Sequence, residues 1–365
     1  MIGALLLTWA LVHTGASVLA IARSLQKPQT PSPSAAPLRA VLIRPCAGME
    51  PALARALRSS EGVHRVVFAV ASRNDGAFDA ASRIAKQLGE SASVAITDAR
   101  SGNRKAAQIA RVLDSFPGEE IVIVADSDVV LQAGDLSALV APIQADSSCS
   151  AVWAAPVEVA PPRTLGDHIS QAVLGASLHS FALLSHIDRE GMVGKLVAFR
   201  RDALEAVGGF RAMESILGED MELGRRLRAH GQVMMSRSVL ARSHAEGRSL
   251  GDVLRRYVRW ASVIRAQRPT RLVGYPLLFA AWPLISLAAL IVHSPLATAA
   301  AALTTLTRIL IAWRAVVVTK AHPFITFAAP LADLMLFAAF MRALWARQID
   351  WRGVSLELTR KGEIR

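Results

Sequence analysis

Residues 1–22 (MIGALLLTWALVHTGASVLAIA) contain no charged side chain, and the first cation is Arg23. An apolar run of this length suits a bilayer, whose hydrocarbon core takes about 20 helical residues to cross. Three more apolar runs, 272–292, 295–312 and 323–345, follow Arg271 with few charges inside them, among them Arg308 and Arg342. Backbone polar groups in lipid must be satisfied within the segment, so such runs are restricted to helices. The chain is therefore expected to fold with membrane helices at both ends. No basic stretch precedes the first run, so it reads as an uncleaved anchor rather than a signal peptide. Arg23 and Lys27 behind it favour a cytoplasmic flank on that side.

Between these ends lies a region of ordinary polarity, about 40–270, long enough for one large domain. The chain has 41 Lys and Arg against 29 Asp and Glu, a net charge of +12 that would suit either nucleic acid or anionic lipid. No zinc-finger spacing, helix-turn-helix pattern or aromatic RNA-binding motif accompanies it, and the arginines crowd beside apolar segments. Lipid headgroups are the partner this distribution favours, and no nucleic acid is expected. The two cysteines, Cys46 and Cys149, supply neither a disulfide framework nor a metal cluster.

The middle region opens with a linker at 23–38, rich in Pro, Ser and Ala. Strands are then predicted at 39–45, 64–72, 93–99 and 119–128, alternating with helices at 50–59, 79–89 and 105–116, the last capped from 101–103. Later, 194–231 reads as a strand, a helix, a Gly-Gly turn and an amphipathic helix. This alternation implies an α/β domain with a mostly parallel sheet, in which ligands bind beyond the carboxyl ends of the strands.

Four acidic or basic signals sit at such places. The apolar strand IVIVA ends in Asp126-Ser127-Asp128, two carboxylates suited to a hard divalent cation shared with phosphate oxygens. The alternative is a solvated turn. Asp75 follows another strand and can accept from a nucleobase or ribose, although an Asn-Asp-Gly turn uses the same letters. Glu219-Asp220 opens a helix, where a carboxylate either complements the dipole or serves as general base. The stretch RRYVRW (255–260) places Arg256 and Arg259 on one helical face with Trp260. It reads equally as a membrane-interface helix with snorkelling arginines. The histidines show no ligand spacing, and no nucleophile elbow is present.

In this order the signals Asp75, Asp126-x-Asp128, Glu219-Asp220 and Arg256-x-x-Arg259-Trp260 resemble the D, DxD, ED and (Q/R)xxRW motifs of family-2-type inverting glycosyltransferases. Such enzymes have the GT-A fold. LIRPCAGMEP (42–51), FAVASRNDGA (68–77) and LVAFRRDALEAVGGF (196–210) are similar to the ceramide glucosyltransferase branch, family 21, with its bacterial glycolipid and hopanoid enzymes. The family's N-x-K segment is matched by Asn103 and Lys105, its later asparagine is missing, and Arg44 stands where Lys is usual.

The resemblance implies a GT-A catalytic domain at 39–249, an interfacial helix with the RxxRW motif at 250–271, membrane segments at 272–345 and a basic tail at 346–365. By the same resemblance Asp220 is the general base, and Asp128 binds Mg²⁺ or Mn²⁺. Asp75, Asn103, Lys105, Asp126, Glu219, Arg256, Arg259 and Trp260 bind substrates, and 157–193 faces the acceptor. The implied reaction moves glucose from UDP-glucose to ceramide at a bacterial inner membrane, with the catalytic domain cytoplasmic. A hopanoid acceptor with UDP-N-acetylglucosamine, or a diacylglycerol, remains open. A processive polysaccharide synthase and a non-catalytic nucleotide-binding scaffold are the readings from other classes. Three C-terminal crossings would leave the basic tail outside, against the positive-inside rule. Residues 295–312, interrupted by Arg308, are the candidate for not crossing.

Overall fold

Apolar strands alternating with one-sided helices build the first half of the chain. In the computed structural model, residues 1–25, 39–99, 102–272, 274, 279–346, 348–351, 354–357, 359 and 362–364 are described. Apart from 23–25, the linker expected at 23–38 lies outside the described residues. The elements begin with α1 (Ile2–Leu25), β1 (Ala40–Pro45), α2 (Leu53–Arg58), β2 (Arg65–Val70), α3 (Phe78–Leu88), β3 (Ala92–Ile96), α4 (Arg104–Ser115), β4 (Ile121–Ala125), α5 (Asp135–Ala145) and β5 (Cys149–Glu158). There follow α6 (Leu165–Ile187), β6 (Leu196–Arg200), α7 (Arg201–Ala206), α8 (Glu219–Leu227), β7 (Gln232–Ser243) and α9 (Leu250–Gln267). The rest are α10 (Pro269–Leu272), α11 (Ala281–Val292), α12 (Pro295–Thr319), α13 (Ile325–Trp345), β8 (Gln348–Trp351) and β9 (Val354–Glu357). These group into two compact units. One holds the large sheet with α2–α5, α7 and α8; the other holds α1, most of α6, α9–α13 and the β8–β9 hairpin.

In the sheet unit seven strands lie in the order β3-β2-β1-β4-β6-β5-β7. The pairs β1–β2, β1–β4 and β2–β3 are parallel. Strands β1 and β4 are buried along their whole length, as a strand covered on both faces requires, and this explains their unbroken apolar runs. Leu42, Phe68 and Ile123 of the sheet pack with Leu57, Ile84 and Leu139 of the covering helices. Strand β6 runs against β4 and β5. Its first residue, Leu196, therefore pairs with the last residue of β4, Ala125. Whatever precedes β6 reaches the same edge as whatever follows β4.

In the helical unit α1 packs on α12, and α13 on α9. Small residues such as Ala10, Ala281 and Ala300 let helices approach closely. A second cluster joins Ile169 and Ala172 of α6 to Val253 and Tyr257 of α9 and to Ala328 and Ala332 of α13. Helix α9 begins with a capping box of Ser249 and Asp252.

Among the described residues three helices are long and apolar enough to cross a membrane: α1, α12 and α13. Of the first C-terminal run, residues 273 and 275–278 lie outside the described residues, and the described helix within it is α11, with 12 residues. The middle run, by contrast, is the 25-residue α12. Arg308 does not count against it, because Nε and Nη2 bond the two oxygens of Asp333 on α13 at 2.6 Å. A bidentate partner inside the bundle offsets the charge that the sequence presents as an interruption.

Candidate active site

The carboxyl edge of the sheet gathers most of the residues the motifs single out. Asp126 and Asp128 leave the end of β4, while Gly194 and Lys195 arrive at the start of the antiparallel β6. The Asp126 N–H donates to Lys195 O at 2.9 Å, joining the two segments. Arg44, wholly buried in β1, donates to Asp126 O and Val129 O at 3.1 and 2.8 Å. It thus holds the backbone of the acidic turn from beneath. Burial lowers the Arg44 guanidinium to about 10, against Cys46, Asp128 and Asp126, so it is charged at neutral pH.

Two lysines divide the carboxylates between them. Lys105, one residue into α4, lies 2.7 Å from Asp126 Oδ1 and 3.4 Å from Glu219 Oε1, and donates to Gly194 O at 2.8 Å. Burial pulls its ammonium down, but Asp126, Glu219 and Asp220 outweigh that and raise it above the ordinary lysine value. Lys195 donates to Asp128 Oδ1 and Oδ2 at 2.7 and 2.6 Å and lies 3.5 Å from Asp126 Oδ2. Ser243 Oγ, at the end of β7, donates to Asp128 Oδ2.

The ED pair splits into two environments. Glu219 accepts from Asn103 Nδ2 at 2.8 Å. Asn103 is wholly buried. Its amide also caps α4 through Ala106 N and donates to Ile216 O, so it positions Glu219 and the helix carrying Lys105. Gly102 before it has φ 65°, and a Cβ there would stand 2.3 Å from Glu214 O. Asp220 accepts only from backbone among the described residues, Gly194 N at 2.8 Å and Met221 N at 2.9 Å. A side chain at Gly194 would meet Asp220 Cβ at 2.9 Å, so this approach needs glycine. Burial, then the Glu219 charge, pushes the Asp220 carboxyl up to about 6, against Lys105 and the two N–H groups.

Asp75 stands after β2, where Oδ1 accepts from Gly48 N at 2.8 Å and Ala77 N at 2.9 Å. The loop it holds carries Glu50, whose Oε2 accepts from Ser127 Oγ at 2.8 Å, in the middle of the DxD. The helical unit contains the remaining motif, on α9. Arg256 Nη1 donates to Glu158 Oε1 at 2.6 Å and its guanidinium lies 4.9 Å from the Trp260 ring centroid. Trp260 packs edge-on against Tyr257 at 5.3 Å. Arg256 therefore works against a buried carboxylate of its own unit. Arg259 and Trp260 are half-buried.

The motifs did not include Lys195, Arg44, Glu50 or Ser243. Arg44 and Glu50 lie in the quoted stretch 42–51, but Lys195 and Ser243 carried no signal without the strand directions. The carboxylates here outnumber the cations, and their oxygens are hard ligands. Among the described residues no group of three or more His, Cys, Asp and Glu is placed to hold a metal by itself. A pair of carboxylates with room for substrate oxygens is how Mg²⁺ or Mn²⁺ is usually held beside phosphates, so the donor set fits.

The family model described as glycosyl transferase family 21 matches residues 5–364. Among solved structures the chain is similar to the mannosyltransferase PcManGT from Pyrobaculum calidifontis, in complex with GDP-Man and Mn²⁺. The identity is 18%, with 94% of this chain and 99% of that one covered and a TM-score of 0.52. It also matches S. aureus TarS 1-349 at 13% identity, covering 89% and 97%, with a TM-score of 0.37. No curated protein matches the chain.

Proposed function

The chain belongs to glycosyl transferase family 21, with a GT-A sheet unit, and from that premise we propose that it transfers a sugar from a UDP-sugar to a lipid hydroxyl with inversion at the anomeric carbon. The observation that carries this is Asp220. It is a half-buried carboxylate raised to about 6 near the DxD, so it is ionised at neutral pH yet basic enough to accept a proton.

In the proposed reaction the acceptor oxygen attacks the anomeric carbon and its proton passes to Asp220. The new C–O bond forms as the bond to the diphosphate breaks, and UDP leaves. One base suffices, because no covalent enzyme intermediate is formed. Asp126 and Asp128 would hold Mg²⁺ or Mn²⁺, which supplies charge neutralisation to the departing diphosphate. Lys105 balances Asp126 and Glu219 and keeps the site from repelling an anionic donor. Asp75 would read the uridine, and Arg259 and Trp260 would serve the diphosphate and the acceptor. Glucose and ceramide are the donor sugar and acceptor we favour from motif similarity, and the three membrane-length helices support a lipid acceptor.

Crossings by α12 and α13 alone would return the chain to the side it left. The basic tail then obeys the positive-inside rule with the sheet unit cytoplasmic.

The test is product analysis. Detergent-purified protein with Mg²⁺ or Mn²⁺ is given labelled UDP-glucose, UDP-galactose or UDP-N-acetylglucosamine together with ceramide, hopanoid or diacylglycerol. A single β-linked glycolipid by mass spectrometry and NMR, absent with Asp220→Asn, is expected. Long polymer, retained configuration or absence of any labelled lipid would each overturn the reading.

A further inference from the structure

The DxD carboxylates already hold a cation that belongs to the chain. Lys195 Nζ sits 2.7 and 2.6 Å from the two oxygens of Asp128 and 3.5 Å from Asp126 Oδ2, and these are its only side-chain partners among the described residues. A divalent ion would use the same oxygens, since oxygen ligands lie about 2.0–2.6 Å from Mg²⁺ or Ca²⁺. The second oxygen of Asp128 also accepts from Ser243. Lys195 thus covers both oxygens of Asp128, and a cation bridging the two would compete with its ammonium.

The two lysines differ in how firmly they are held. Lys105 has a backbone acceptor, Gly194 O, and a second carboxylate, Glu219, in addition to Asp126. Lys195 is tied by its main chain, through Asp126 N, while its ammonium bonds only the acidic pair. Its four-carbon stem can turn the ammonium away without disturbing β6.

We propose that Lys195 is an exchangeable internal cation: it neutralises Asp128 before the divalent ion arrives, is displaced by that ion, and then faces the donor's diphosphate. The pairing prevents the carboxylates from repelling one another in the free enzyme, and displacement couples metal binding to the donor, because the diphosphate offers the freed ammonium a new partner. This inference rests on the metal-dependent reading above and adds to it a residue that sets metal affinity.

Mn²⁺ binding to the full chain in detergent, followed by electron paramagnetic resonance without nucleotide, tests it. Lys195→Met should bind Mn²⁺ roughly tenfold more tightly than wild type, the change expected when an ammonium pair worth about 1.4 kcal/mol no longer competes. At saturating Mn²⁺ the same variant should show a higher KM for the nucleotide sugar. In the unaltered protein, saturating Mn²⁺ alone should increase acetylation of Lys195 by acetic anhydride relative to Lys105, and adding UDP should reverse the increase, read by peptide mass spectrometry. That measurement needs no variant to fold. If Asp128→Asn abolishes Mn²⁺ binding while Lys195→Met leaves it unchanged and Lys195 labelling does not respond, exchange is wrong and the metal reading stands. If Asp128→Asn leaves Mn²⁺ binding intact, the metal reading falls and this inference with it.

Discussion

Each unit buries a set of acidic and basic side chains, and the two sets are resolved in opposite ways. In the helical unit Glu158 has no exposed side-chain surface, and three guanidinium contacts close it. Arg248 reaches both oxygens at 2.6 and 2.8 Å and Arg256 one of them at 2.6 Å. Burial acts to raise its carboxyl, but Arg256 and Arg248 outweigh it and hold the group below the ordinary value. Asp167 beside it is closed by Arg248 and by the N–H groups of Gly247, Arg248 and Arg163. In the sheet unit Asp220 has like charge beside it and no guanidinium, and its carboxyl rises to about 6. The helical set is closed by guanidinium and backbone N–H groups, whereas in the sheet unit one carboxyl accepts from backbone alone beside a like charge, the kind of perturbed group that marks a candidate site.

Asp220→Asn should separate these roles most sharply. Removing a general base lowers turnover by roughly 10²–10⁴-fold, measured as glycolipid formed under saturating donor. Its folded value lies above the unfolded 3.8, so the folded state retains a proton through that window and stability falls as pH rises through it. At neutral pH the ionised group therefore opposes folding, by on the order of 1–3 kcal/mol. The variant should melt higher than wild type at pH 7.5, with the gain disappearing below about pH 4. Turnover within tenfold of wild type would remove Asp220 as base.

Glu158→Gln is the mirror experiment. It removes the buried charge that Arg248 and Arg256 share, leaving Arg248 with Asp167, a change of about 3–5 kcal/mol. Thermal unfolding in detergent should shift down by many degrees, while Mn²⁺ affinity of the protein that remains folded stays at the wild-type value. An unchanged melting temperature would mean that this cluster is not the closed lock its distances describe.

The contrast between the sets was only half visible in the sequence. The buried strands β1, β2 and β4 and the ordered acidic motifs are local patterns, and they emerge at the expected edge because parallel strands end there together. Lys195 lies outside that logic. A mostly parallel sheet would place a residue before a strand on the far edge, and only the antiparallel pairing of Ala125 with Leu196 brings it to the DxD. Arg256 presents a related problem: its carboxylate partner, Glu158, is 98 positions away, and nothing local marks the pair.

A smaller effect sharpens the open set. If Asp220 is the base, kcat/KM should be level above about pH 6 and fall about tenfold per unit below it, as the carboxyl takes up a proton and can no longer receive one. A profile flat down to pH 4.5 would place the base elsewhere.

The smallest expected change, at Asn103, decides what kind of residue it is. The motif resemblance makes it a substrate ligand, but its side chain is wholly enclosed and bonded to Ala106 N, Ile216 O and Glu219 Oε2. Asn103→Ala removes an N-cap, worth about 1 kcal/mol, and releases Glu219 from a donor. Glu219 is the neighbour whose charge helps raise Asp220. A positioning role therefore predicts a modest drop in melting temperature, a turnover loss of a few fold and a displaced acid limb of the pH profile, with KM for the nucleotide sugar nearly unchanged. A direct ligand predicts the reverse: an unshifted profile and an increase in KM. The enclosed amide favours the first result, since a group that spends every bond inside the protein acts on substrate only through the carboxylates it holds.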